Sequence, residues 1–199
     1  MHRNHGTVGT GQCHHAHWES DGALSATLRM RDAATRDLRW VQPRIFRPIY
    51  ELRAGEQVAA ILAFHNSFGS AATGNSADGC WNFKRIGFFQ TQVTIRACGS
   101  ESDIVLFRNS TWGSGGSLEM PDGRKLRANI NFSATRYQLM AQTGVPILTF
   151  NRIGGLLHLS GDVLVHEAAK VMPELPWLVI LGWYLTIMMH RDSAVAVAC

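Results

Sequence analysis

The residues best suited to chemistry gather in three places. An N-terminal run, Cys13-His14-His15-Ala16-His17, with His2 and His5 nearby, offers the sulfur and imidazole donors that zinc, nickel and copper prefer. Those donors are adjacent and lack the spacing of a metal-site motif, so the run reads as an incidental His-rich tail and implies no cofactor. His166-Glu167-Ala168-Ala169-Lys170 imitates the H-E-x-x-H zinc helix, but Lys170 stands where the second imidazole ligand must be. It reads as a strand end followed by a connection. Two groups of cations, Lys84-Arg85 and Arg124-Lys125 with Arg127, form a basic rim for a phosphate or an anionic headgroup if the fold brings them to one side. Arginines alternating outward on strands otherwise mean a solvated face.

Two glycine motifs are weaker. Gly113-Ser114-Gly115-Gly116 offers backbone N–H groups to an anion, but it precedes a strand where a phosphate-binding loop precedes a helix, and it reads as a hairpin loop. Gly79-Cys80-Trp81 matches the G-x-W of lipocalins, although it lies in the middle of the strand series and not on its first member. Neither a nucleophile with its base and orienting group nor a carboxylate pair is visible, so the residues name no catalytic site and the expectation is a non-enzymatic protein.

Composition narrows the partners. Nineteen Lys and Arg against 15 Asp and Glu give a net charge of +4, spread along the chain without the stripe of a nucleic-acid binder. Nucleic acid is not an expected partner. The four cysteines, Cys13, Cys80, Cys98 and Cys199, form no C-x-x-C pair and read as free thiols of a reducing compartment, with a Cys80–Cys98 cross-strand bond as the alternative. The His-rich N-terminus has no apolar core of an export signal, and the expected location is the cytoplasm, peripheral to a membrane if lipid is the partner.

The elements that must carry these residues are strands. Residues 1–38 have few large apolar groups and read as a disordered tail, with a weak amphipathic helix through Leu24, Leu28 and Leu38 as the alternative. From Trp40 onward, short apolar runs are punctuated by turn residues. Ile61-Leu62-Ala63-Phe64, Ile104-Val105-Leu106-Phe107 and Ile147-Leu148-Thr149-Phe150 place a phenylalanine at 64, 107 and 150, each 43 positions beyond the last. Each copy closes a strand, turn, strand hairpin, and the first two lead to an Asp-Gly turn, Asp78-Gly79 and Asp122-Gly123. A unit of that length holds about four strands, so three units predict about twelve. Val93, Ile95 and Ala97 alternate with Gln92, Thr94 and Arg96, as in an antiparallel sheet with one wet face.

Leu175 to Met189 is different: it has no charge and is apolar around its whole circumference. Pro176 suits a first helical turn, with Glu174 at the positive end of the dipole and His190-Arg191 at the other. Such a helix is buried in protein or in lipid. Its fifteen residues rise about 22 Å, short of the roughly 30 Å hydrocarbon core. A barrel of about twelve strands has a lumen that strand side chains do not fill, and a helix about 10 Å across does. The expected core therefore joins Phe64, Phe107 and Phe150 to Trp177, Leu181, Trp183 and Tyr184. A lipocalin-like carrier of an apolar ligand and a tail-anchored membrane protein using 175–189 are the alternatives.

The Trp81-Asn82-Phe83-Lys84-Arg85 strand, the hairpins ending at Phe64, Phe107 and Phe150, the loop from Gly113 to Leu118 and the LPWLVILGWYL segment together resemble the tubby C-terminal-like superfamily, above all its LURP-one-related and phospholipid scramblase-like branch. The resemblance covers about residues 40 to 192. It implies a twelve-stranded barrel around a central helix at 174–190, followed by a short tail, 193–199. It transfers no phosphoinositide or calcium residue position by position. The functional expectation is a monomeric binding or scaffold barrel that contacts anionic phospholipid headgroups or a protein partner.

Overall fold

The computed structural model describes residues 26–87, 91–110, 115–131, 133–154 and 158–197. The run containing Cys13, His14, His15 and His17 lies outside them. The chain forms α1 (Met30–Ala33), β1 (Leu38–Val41), β2 (Ile49–Ala54), β3 (Gln57–Phe64), β4 (Ala72–Ser76), β5 (Gly79–Ile86) and β6 (Gln92–Ala97). It continues through β7 (Val105–Asn109), β8 (Gly115–Glu119), β9 (Lys125–Ile130), β10 (Arg136–Ala141), β11 (Pro146–Ile153), β12 (Ser160–Val165), α2 (Glu167–Lys170) and α3 (Leu175–Val197). Each strand pairs antiparallel with its neighbours in sequence, and β1 closes the circle on β12 through Leu38↔Val163 and Trp40↔Gly161. The result is a closed twelve-stranded barrel, as the repeat predicts.

The repeat is visible in the geometry. Phe64, Phe107 and Phe150 lie on β3, β7 and β11, four strands apart, and all three are buried. The second Asp-Gly turn works as its chemistry demands: Asp122 Oδ1 accepts from the Arg124 N–H at 3.0 Å, and Gly123 takes φ +83°.

α3 fills the lumen. Every residue from Trp177 to Met188 is buried, which is more than three full turns and hence the whole circumference. The wall is shaped to receive it. Trp183 stacks on Trp40 of β1 with centroids 5.8 Å apart, and Tyr184 stacks between Phe64 and Phe83 at 5.6 Å from each. Gly182 lies under the Phe150 ring, where a Cβ would sit 2.2 Å from ring carbons. The helix thus occupies the interior that a carrier of lipocalin type would keep for its ligand. Among the described residues no helix is long and apolar enough to cross a membrane.

Three expectations are corrected. Residues 26–37 are packed against the barrel and are no part of a disordered tail: Met30 and Ala33 are fully buried, and the Met30 N–H donates to Asp78 Oδ2 at 2.8 Å. Only Leu28, Met30, Ala33 and Ala34 face inward there, too few to register beside Arg29, Arg31 and Arg36 as an apolar pattern. The helix does not stop at 190 but runs through Val197, into the segment read as a short tail. Finally, Cys80 and Cys98 are joined in a disulfide, with Cα atoms 5.4 Å apart, because the β5–β6 register Trp81↔Ala97 sets them directly opposite one another. The free-thiol reading fails for this pair, and the argument from thiols to a reducing compartment falls with it.

Candidate functional site

In a closed meander the odd-numbered strands all finish at one end. α3 gives each end a direction. Arg124, just before β9, donates to Glu174 at the start of the helix at 2.6 Å, whereas Arg85, near the end of β5, pairs with Asp192 near its finish, also at 2.6 Å. Eighteen residues of helix, about 27 Å, separate the two pairs. The cations proposed from sequence as one rim therefore sit at opposite ends, with Lys84 and Arg85 at the helix-exit end and Arg124, Lys125 and Arg127 at the helix-start end.

At the helix-start end a carboxylate stands beside two of the three cations. Arg124 is held by Asp122 and Glu174, and Lys125 stands opposite Glu119 in the β8–β9 register. The backbone N–H of Arg124, followed by its guanidinium, holds the Asp122 carboxyl below its ordinary range. Arg127 is exposed on the outer face between Ser117 and Met140. α1 lies across this end against α3, tied by Met30 to the β4–β5 turn. Glu167–Lys170, the false zinc motif, is an i,i+3 ion pair at 2.6 Å, and His166 Nε2 lies 3.0 Å from Thr149 Oγ1. Gly115 and Gly116, from the proposed anion loop, are wall residues of β8. A Cβ on Gly115 would fall 1.9 Å from the Ala128 carbonyl oxygen and one on Gly116 2.3 Å from the Phe107 ring, so close strand approach explains both glycines.

The helix-exit end is different. Inward-facing positions alternate along a strand, so the residue two beyond an inward phenylalanine also points inward, at the barrel mouth. Arg85 follows Phe83 in this way, and Arg152 follows Phe150. The last turns of the helix add His190 and Arg191. Arg152 Nη1 donates to His190 Nδ1 at 3.0 Å, and its Nε to the Ala134 carbonyl at 3.3 Å. Arg191 donates to the Gly69 carbonyl at 2.9 Å and lies 4.2 Å over the Phe64 ring. Burial, then Arg152 and Arg191, hold the His190 imidazole below its ordinary pKa. Burial raises the phenols of Tyr50 and Tyr184, with Arg191 opposing both and Arg85 also opposing the second. Three guanidiniums thus converge on a mouth whose nearby carboxylate is Asp192.

Sequence reasoning found Arg85 and missed Arg152, His190 and Arg191. The signal was present in the i, i+2 relation to Phe83 and Phe150, but it acquires meaning only once those rings are known to face the lumen. Among the described residues no group of three or more His, Cys, Asp or Glu side chains could hold a metal ion. An open groove of about 460 Å³ lies beside β7 and β8, lined by Asp103, Arg108, Glu119 and Lys125 with Val105 and Leu118. Its lining mixes both signs of charge. Comparison with family models, curated proteins and solved structures returns no match.

Proposed function

We propose that this chain is a non-enzymatic binding barrel that engages anionic phospholipid headgroups at its helix-exit end. The observation that supports the reading is the presence of Arg85, Arg152 and Arg191 at one barrel mouth sealed from within by α3, with Arg85 paired to Asp192, Arg152 to His190 and Arg191 to the Gly69 carbonyl. Guanidinium groups present planar donor forks to phosphate oxygens, and their electrostatic attraction to an anionic leaflet is worth about 1 kcal/mol per cation near the surface. With the lumen filled, a ligand meets the barrel from outside. The kinship to tubby-like and scramblase-like barrels belongs to the same proposal and rests on the shared plan of a twelve-stranded wall around a central helix.

The test is co-sedimentation with vesicles at low and high salt. The reading expects binding to vesicles containing phosphatidylserine, weakening steeply as salt shortens the screening length. Equal recovery with and without anionic vesicles at low salt removes it.

A further inference from the structure

The six connections at the helix-exit end run through 42–48, 65–71, 87–91, 110–114, 131–135 and 154–159. None contains an Asp or a Glu. The opposite end holds Glu56, Asp78, Glu101, Asp103, Asp122 and Glu174 in its connections. Exposed apolar residues occur at both ends, with Val145, Leu164 and Val171 at the helix-start end, but among the described residues both exposed phenylalanines lie at the helix-exit end. Phe46 is 90% exposed and Phe68 100% exposed, on the β1–β2 and β3–β4 loops, while Ile45, Ile86 and Ile153 are 40–50% exposed at the same end.

Neither phenylalanine is loosely attached. The buried amide of Gln42 donates to the carbonyls of Ile45 at 3.0 Å and Arg47 at 2.9 Å, clamping the chain on both sides of Phe46. The Phe68 loop is gripped on its inner side: the Gly69 N–H donates to Asn66 Oδ1, the Gly69 carbonyl accepts from Arg191 at 2.9 Å, and the Ser70 carbonyl accepts from the Tyr184 hydroxyl at 2.7 Å. Two exposed rings thus sit on loops held by hydrogen bonds, on an end with arginines and no loop carboxylate. A protein partner of matching shape would suit exposed rings alone. Exposed rings on the loops of the end that also carries the guanidiniums match a bilayer, which offers phosphate at the surface and hydrocarbon beneath it.

We infer that the barrel docks end-on to an anionic lipid bilayer, with Phe46 and Phe68 inserted below the headgroups and Arg85, Arg152 and Arg191 at phosphate level. This rests on the headgroup reading above and adds insertion, orientation and the two residues that perform it. The axis of α3 then stands steeply to the membrane, with its start end and α1 facing away. The remaining four connections of this end contain Phe88, Phe89, Trp112, Phe132, Leu156 and Leu157 in sequence; those residues lie outside the described ones, and the inference stands on Phe46 and Phe68.

The experiment compares the full chain, a Phe46→Ser/Phe68→Ser double variant and a Val145→Ser control from the opposite end. Each is titrated with vesicles of phosphatidylcholine alone and with about 30% phosphatidylserine. Because both rings are at least 90% exposed, the double variant should melt as the native chain does, which keeps the comparison interpretable. Removing a phenylalanine from hydrocarbon costs about tenfold or more in partitioning, so the double variant should bind anionic vesicles about a hundredfold more weakly. The control should bind as the native chain does. Undiminished binding by the double variant overturns insertion and leaves the headgroup reading standing. Failure of the native chain to bind any vesicle at low salt overturns both, as expected if the rings serve a protein partner.

Discussion

The Tyr184 hydroxyl donates a 2.7 Å hydrogen bond to the Ser70 carbonyl, so the central helix holds a loop 114 residues away in sequence. Tyr184→Phe removes that donor and leaves a part-buried carbonyl unpaired, while the ring keeps its packing against Phe64 and Phe83. The expected cost is about 1 kcal/mol in urea denaturation, with faster amide exchange in residues 66–71. A loop whose exchange is unchanged would show that the bond does not restrain it.

Gly182→Ala tests how tightly the wall grips the helix. The added methyl would meet two Phe150 ring carbons at 2.2 Å, and Phe150 is fully buried. Overpacking of this kind costs about 1–3 kcal/mol, outweighing the higher helix propensity of alanine. Combining it with Phe150→Leu should recover part of the loss, and a double-mutant cycle by chemical denaturation measures that coupling.

Reducing the Cys80–Cys98 bridge should destabilise the barrel. The two cysteines are 18 residues apart, and a loop of that length contributes about 3 kcal/mol through the unfolded chain. Thermal melting with and without reductant checks this; a Cys80→Ser/Cys98→Ser variant should melt like the reduced protein and be insensitive to reductant.

Asp192→Asn removes the carboxylate that engages Arg85. Asp192 is 56% exposed at its side chain, so the ion pair contributes under about 1 kcal/mol and stability should change little. Affinity for anionic vesicles should rise about fivefold, the value of about one surface charge, as a titration at low salt would register.

His190 gives a pH signature. Its folded-state pKa lies below the ordinary 6.5, from burial first and then from Arg152 and Arg191. On acidification the unfolded chain takes up the proton while the folded chain resists it. The neutral imidazole's contribution is therefore fully present above the unfolded pKa and is lost as pH falls through about 6.5 towards the folded value. His190→Gln should flatten the stability profile between about pH 7 and about pH 5, measured by urea denaturation at each pH.

The barrel was legible because its signals are periodic. Phe64, Phe107 and Phe150 repeat at one interval, and residues 175–189 are apolar on every side, which two facts together require a wall and a filler. α1 was not legible, since four inward residues among arginines make no pattern. The disulfide could not be decided from spacing, because it depends on a register that places Cys80 opposite Cys98. The distribution of the cations between the two ends was illegible for a different reason. Whether two cation groups share an end depends on strand direction: β5 finishes where β9 finishes, so Lys84-Arg85 at the close of one strand and Arg124-Lys125 at the opening of the other are driven apart. Conversely, Arg85 and Asp192 are far apart in sequence and pair only because the helix threads the barrel.

That threading also orders events in time. The wall comprises β1 through β12, and closing it joins Leu38 to Val163, yet the side chains that fill it follow all twelve strands in the chain. During synthesis the strands emerge before Trp183 and Tyr184 exist to pack between them, so the nascent wall exposes apolar inner faces with nothing to cover them. Native contacts of such long sequence separation make for slow folding, and the half-made barrel is the species most prone to aggregate.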